Sequence, residues 1–300
     1  IVINEVTYSA NVAVTDGGAI YNGNQATASL LSTTFTSNLS GRDGGAIYNN
    51  DTAILTISSS TLSSNRADAT VSGIVNDLNG DGGAIYNETS ATLVLDDSLL
   101  QNNSARNGGA LYNDDGTLVL NRDTFGVNSA LENGGAIFNT SGGNLTLNQG
   151  LFTTNSASDN GGAIQNYGNL VVLDVAGTGT QFLSNEAGTD VRPGDADDGK
   201  GAAIFNQDGV VDISSATFTL NRSHGDAGVI FNDGDATLTI RRTEFDRNSA
   251  DGNGGVLVNN DFAQLTIDEV TFSNNSAGGD GGAIYNDSNF TSGQTLSLTI

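Results

Sequence analysis

The side chains best equipped for chemistry in this chain are carboxylates gathered in two stretches, RADATVSGIVNDLNGDGG (66–83) and EAGTDVRPGDADDGKG (186–201). In the first, Asp77, Asn79, Asp81, Gly82 and Glu88 follow the spacing D-x-[DN]-x-[DN]-G-x5-E, which sets oxygen ligands around a calcium ion. Glu88 would have to reach back from the far end of a strand, and no helices flank the loop, so a plain acidic turn is the competing reading. The second stretch offers Asp190, Asp195, Asp197 and Asp198, oxygen donors suited to a hard divalent cation and equally to a solvated loop. Calcium is the one cofactor these residues point to. His224 is the single histidine and Lys200 the single lysine; His224 lies in the turn NRSHGDAG and reads as a surface residue. There is no cysteine, no zinc spacing, no phosphate loop and no nucleophile elbow.

The elements that must position these residues are repeats. The segment DGGAIYN at 16–22 returns at 43–49 and, with small changes, along the whole chain, giving ten copies from Gly17-Gly18 to Gly281-Gly282. Most copies are 26–27 residues apart, and two intervals are longer, which places insertions near 66–80 and 186–200. Between copies lies a second signature, an aromatic or leucine three residues before an asparagine, as in Phe35/Asn38, Leu62/Asn65, Phe125/Asn128 and Phe152/Asn155. Upstream of it sit paired aliphatics such as Leu118/Leu120 and Leu145/Leu147, the alternation of a strand with one buried face. Each unit thus offers three short extended pieces separated by turn residues, none able to bury an apolar face alone. Stacking one unit on the next buries that face, and the fold class expected is all-β: a right-handed parallel β-helix of about ten coils, a single domain over 1–300. Ten coils would make a rod of roughly 48 Å.

In such a stack the objects to interpret are columns. Asn22, Asn49, Asn87, Asn113 and Asn139 form one asparagine column, and Asn38, Asn65, Asn128 and Asn155 another; both are expected at corners, in the left-handed conformation asparagine tolerates, with amides bonded from coil to coil. The always-aliphatic column Ile20, Ile47, Ile85, Leu111, Ile137 is assigned inward, so its neighbours Tyr21, Tyr48, Tyr86, Tyr112 and Phe138 form an outward aromatic stripe and a candidate partner-binding face. Asp16 and Asp43, before the glycine pair, should be stacked neighbours, either as simple turn residues or with a cation, a proton or water between them. Arg241 and Arg242 precede Asp268 and Glu269 by one unit, and Asp97 precedes Arg122, so these basic residues read as cross-coil ion pairs.

Gly-Gly-Ala-Ile followed by Phe-x-x-Asn resembles the repeats of chlamydial-type polymorphic outer membrane proteins and related right-handed β-helix proteins of bacterial surfaces. The resemblance spans almost the whole chain. It implies a β-helix displayed outside the cell and linked to adhesion, usually ahead of a membrane-anchoring barrel that this sequence does not show.

Net charge of −24 excludes nucleic acid and an anionic membrane surface as partners, and no apolar run is long enough to insert in a bilayer. The acidity would also suit a salt-rich habitat. The first residues, Ile1-Val2-Ile3, and the last, Leu298-Thr299-Ile300, are in the aliphatic phase of the unit, so either the array is longer or chains stack end to end. The expectation is an extracellular, cell-surface structural or adhesive β-solenoid, a stalk or a self-assembling filament subunit, without catalysis. Its partners would be itself, surface glycans, or proteins of a host or neighbouring cell. The competing expectation is a polysaccharide lyase or hydrolase on the same fold. Ice binding, which needs a regular outward threonine array, is excluded by the mixed column Ser29, Thr56, Val94, Val119, Thr146, Asp212.

Overall fold

A computed structural model describes residues 1–67, 80–173, 179–189, 199–287 and 297–299. Every strand pairs in parallel with its equivalent one coil away, producing one 11-stranded and three 10-stranded sheets that run the length of a solenoid. The first full coil shows the plan: Val2–Asn4, Thr7–Ser9, Val12–Ala13, Ile20–Asn22. The parallel β-helix expected from the repeat is the fold observed, with four strands per coil rather than three. The additional strand is two residues long, typically Ser-Ala as in Ser129–Ala130 and Ser156–Ala157, and too short to give an alternation signal in the sequence.

The core is a set of stacked columns. Each five-residue strand turns two aliphatics inward, for example Leu118 and Leu120 in register with Leu145 and Leu147, all at most 2% exposed. The motif isoleucines Ile47, Ile85, Ile137 and Ile164 are fully buried, so their inward assignment holds. The phenylalanines Phe125, Phe152, Phe182, Phe218 and Phe245 fill the interior as a continuous ring stack with centroids 4.6 to 4.9 Å apart. Leu62 and Leu100 take the same slot in the third and fourth coils.

Two asparagine ladders run beside this core. Asn38, Asn65, Asn103, Asn128, Asn155, Asn185, Asn221 and Asn248 each pass an Nδ2–H to the Oδ1 of the next coil at 2.9 to 3.0 Å. The same Oδ1 accepts a backbone N–H, and the second amide hydrogen goes to an aromatic-column carbonyl, as from Asn155 to Phe125 at 2.9 Å. All the amide's bonding capacity is therefore used inside the fold. The second ladder, through Asn22, Asn49, Asn87, Asn113, Asn139 and Asn166, is equally regular at 2.8 to 2.9 Å. Both ladders continue across the inserted segments, the first by Asn65 to Asn103 and Asn185 to Asn221 at 3.0 Å and the second by Asn49 to Asn87 and Asn166 to Asn206 at 2.8 Å, so the insertions leave the coil intact.

The corner conformation differs from expectation. In the first ladder the left-handed residue is the one before the asparagine: Ser37, Ser64, Val127, Thr154 and Leu220 have φ between 54° and 58°. Each such residue costs about 1 kcal/mol, yet its N–H bonds across coils, as Thr154 does to the Leu183 carbonyl at 3.0 Å. The turn at this position swings the next side chain inward, where the ladder holds it. The glycine pair divides its work similarly. The first member has φ near +60°, and a Cβ on the second would run into the next coil's glycine carbonyl.

Candidate interaction face

The residue before the glycine pair builds a third ladder. Its side-chain oxygen accepts the N–H of the equivalent residue one coil on: Asp16 from Asp43 at 3.3 Å, Asp43 from Asp81 at 3.0 Å, Asp81 from Asn107 at 3.1 Å and Asn107 from Asn133 at 3.1 Å. Asp and Asn recur here because either supplies that acceptor. Asp16 and Asp43 are stacked neighbours, with the Arg42 guanidinium 3.9 Å from each. Burial pushes the Asp43 carboxyl up to about 6, against the Asp81 backbone bond that favours its charge; Asp81 and Asp16 add repulsion.

Asp81 is held in a bidentate pair by Arg106, at 3.1 Å to Nε and 2.7 Å to Nη2. Both of its oxygens are thus engaged. The other residues of the candidate metal sites, Asp77, Asn79, Asp195, Asp197 and Asp198, lie outside the described residues. Among the described residues no group of three or more His, Cys, Asp or Glu is placed to hold a metal ion.

The aromatic stripe lies on the opposite side of its strand from the core isoleucines and stacks continuously: Tyr21, Tyr48, Tyr86, Tyr112 and Phe138 have centroids 4.9 to 5.2 Å apart and nearly parallel planes. It is less open than an outward assignment implies. Tyr21, in the first coil, is 54% exposed, whereas Tyr48 is 9% exposed and Tyr86, Tyr112 and Phe138 are half-buried. Each ring hides the faces of its neighbours, so the stripe presents edges and hydroxyls. Further along, Phe205, Phe231 and Val258 close into a buried secondary cluster, and Lys200, which replaces Asp or Asn in the third ladder, lies over the Phe231 ring at 5.2 Å.

Carboxylates wall this stripe on both sides. Asp16, Asp43 and Asp81 stand before it, Glu88 and Asp114 after it, and Tyr86 Oη donates to Asp114 Oδ2 at 3.1 Å. Burial, first, and then these neighbouring carboxylates raise Tyr48 and Tyr86 far above the ordinary phenol range, with Glu88 and Asp114 the main charges respectively. Tyr112 is raised by burial, then Asp81 and Asp114. The phenols therefore remain hydrogen-bond donors at any physiological pH.

Elsewhere, His224 bridges three coils at the root of the second insertion, with Nε2 2.7 Å from Glu186 and Nδ1 3.3 Å from Asp251. Arg222 pairs with the same Asp251 at 3.0 Å. Arg122 and Asp97 form the expected cross-coil pair at 2.7 Å. Arg241 instead reaches back to Asp212 at 2.8 Å, although Asp268 is its forward register partner. Arg242, Glu244 and Glu269 line a shallow open cleft with Thr217 and Thr271.

Comparison with known families matches this pattern. Five stretches, 32–50, 59–88, 97–114, 149–167 and 269–287, match the Chlamydia polymorphic membrane protein repeat. Each opens on a left-handed corner residue (Ser32, Ser59, Asp97, Gln149 or Glu269). Each then runs through the aromatic strand to the asparagine that closes the glycine motif. These five stretches are repeats of the chlamydial polymorphic membrane protein type. That family carries with it a bacterial outer-membrane or cell-surface location. No curated protein and no solved structure matches the chain at a significant level. No helix among the described residues is long and apolar enough to cross a membrane.

Sequence reasoning found two of the ladders and both aromatic columns of these repeats. It missed the Asp/Asn backbone ladder and a hydroxyl ladder through Thr33, Ser60 and Ser98, where Thr33 N–H donates to Ser60 Oγ at 3.0 Å and Ser60 N–H to Ser98 Oγ at 3.2 Å. The recurrence of Ser or Thr two residues before the aromatic was the available signal.

Proposed function

We propose that this chain is a rigid, non-catalytic rod at a bacterial surface that holds a tyrosine-rich acidic face outward for adhesion. The observation carrying this reading is the continuity of the ladders: two files of asparagine amides, buried in all but the terminal coils, run from coil to coil and across both insertions. A stack bonded this way resists bending and shear, which suits a stalk better than a hinged enzyme. The face it presents, phenol edges between two rows of carboxylates, suits a partner rich in cationic or hydroxyl groups, on a host or neighbouring cell or on surface glycans. Beads coated with the chain should adhere to such cells and lose adhesion when Tyr21, Tyr48, Tyr86 and Tyr112 are all changed to Ser, with the circular dichroism of the rod retained. Unchanged adhesion in that variant would move the contact to another face, and no adhesion at all would end the adhesive reading.

The cleft lined by Arg242, Glu244 and Glu269 favours one second reading, a polysaccharide-active enzyme. Release of reducing ends from acidic or neutral polysaccharides, abolished by Glu244→Gln or Glu269→Gln, would establish it in place of the rod.

A further inference from the structure

The column of the hydroxyl ladder contains one ionisable member among the described coils. Thr33, Ser60, Ser98 and Thr243 each donate their hydroxyl hydrogen to the carbonyl two residues back, at 2.8 to 3.0 Å: to Leu31, Ser58, Asp96 and Arg241. Ser60 and Ser98 also accept a backbone N–H from the preceding coil, and Thr243 does so from Ala216 at 3.4 Å. Where its side chain is polar, the column thus uses it for one acceptor and one donor. In the fifth coil the position is Asp123, which is 1% exposed. Its Oδ1 does the accepting, from Ser98 N–H at 2.8 Å. Its Oδ2 is buried with no hydrogen-bond partner.

The next coil supplies no rescue. The following member of the column is Gly150, which has no side chain, and a Cβ there would already press on the Phe152 ring at 3.2 Å, so the space is filled. The charged groups nearby are Asp96 and Asp97, both repelling a carboxylate, and Arg122, whose guanidinium is turned outward onto Asp97 at 2.7 Å. An ionised Asp123 would be a buried anion with one unpaired oxygen and two like charges beside it.

We propose that Asp123 is a neutral carboxylic acid in the folded rod, standing in for a serine hydroxyl, with its proton directed to the Asn121 carbonyl, and that its ionisation makes the fifth coil a pH-sensitive joint. Burial, followed by Asp96 and Asp97, raises this carboxyl to about 7 against the Ser98 and Asn121 backbone interactions that favour its charge. Because the folded value lies above the unfolded one, the stabilisation is complete below about pH 4 and is lost as pH rises through about 7.

The test is the melting temperature of the full chain between pH 5 and pH 8, for wild type, Asp123→Asn and Asp123→Ser. Asparagine and serine both offer an acceptor and a donor without a charge. At pH 5 both variants should melt only slightly above wild type; at pH 8 both should melt clearly higher, and the wild-type fall between the two pH values should shrink, leaving only what other groups such as Asp43 contribute. Variants that melt lower than wild type at pH 8, or that retain the full wild-type pH dependence, would overturn the proposal by showing Asp123 to be a stabilising carboxylate. If wild-type stability at pH 8 instead rose with added sodium or calcium chloride but not with choline chloride, a bound metal cation rather than a proton would be the partner, and the proposal would fall.

Discussion

Two aromatic stacks run side by side along this rod with almost the same ring spacing and different consequences. Inner phenylalanines Phe125 to Phe245 are at most 1% exposed. Outer tyrosines Tyr48, Tyr86 and Tyr112 keep their edges toward a carboxylate-lined surface. Spacing is dictated by the rise per coil, so it is common to both. What separates them is the side of the strand, and hence whether a ring excludes water on all edges or on its faces alone. The comparison teaches that stacking in a solenoid is a consequence of repetition, whereas the energy it contributes depends on what surrounds the stack.

The comparison is broken most severely from inside. Phe152→Ala should cost about 3–5 kcal/mol, read as a lower denaturation midpoint, because the stacked rings above and below cannot close the cavity; a cost under about 1 kcal/mol would contradict its burial. Asn155→Ala removes a ladder rung and strands the Asn128 N–H and Nδ2–H that donate to it. A loss of about 2–3 kcal/mol is expected from the same denaturation measurement.

On the outer side the effects are smaller and depend on pH. Asp43, raised to about 6, contributes stability that is whole below about pH 4 and lost as pH rises through about 6. Asp43→Asn keeps the acceptor that Asn107 and Asn133 supply elsewhere in the column, so it should raise stability at pH 8 by about 1–2 kcal/mol after allowance for solvent. Equal stability of the two proteins at pH 8 would show that Arg42 already neutralises the carboxylate. Least of all should come from Tyr86→Phe, which keeps the stack and loses only the bond to Asp114: about 0.5–1 kcal/mol. An alkaline absorbance titration sharpens the contrast, since Tyr48, Tyr86 and Tyr112 should ionise only as the rod unfolds. Normal titration of all phenols would mean the outer stack is solvated.

Much of this architecture could be read before any coordinates. Recurrence of Gly-Gly-Ala-Ile and Phe-x-x-Asn announces the coil, its length and its insertions, because a repeated unit must meet a repeated environment. The inward isoleucines follow from a column that never varies in polarity. The candidate face was only half legible: the stripe Tyr21 to Phe138 was visible as a column, but its covering was not. A ring's burial depends on the turn residues of adjacent coils, such as Asp114 beside Tyr86, which are a full repeat away in sequence. Corner conformations misled for a related reason. Asparagine's local tolerance of the left-handed region yields to the ladder, and residues as unsuited as Val127 and Leu220 take the turn instead.

The sequence by itself determined the period, the parallel stacking and which columns are apolar, since these follow from residue type at fixed spacing. Only the tertiary structure decided what each polar column does. That Asp16, Asp43 and Asp81 accept backbone N–H groups, which way Arg241 turns for its partner, and whether Asp123 has a donor to satisfy its second oxygen depend on hydrogen-bond geometry between coils. That geometry joins side chains a full repeat apart, and the order of residues along a single coil does not specify which of them meet.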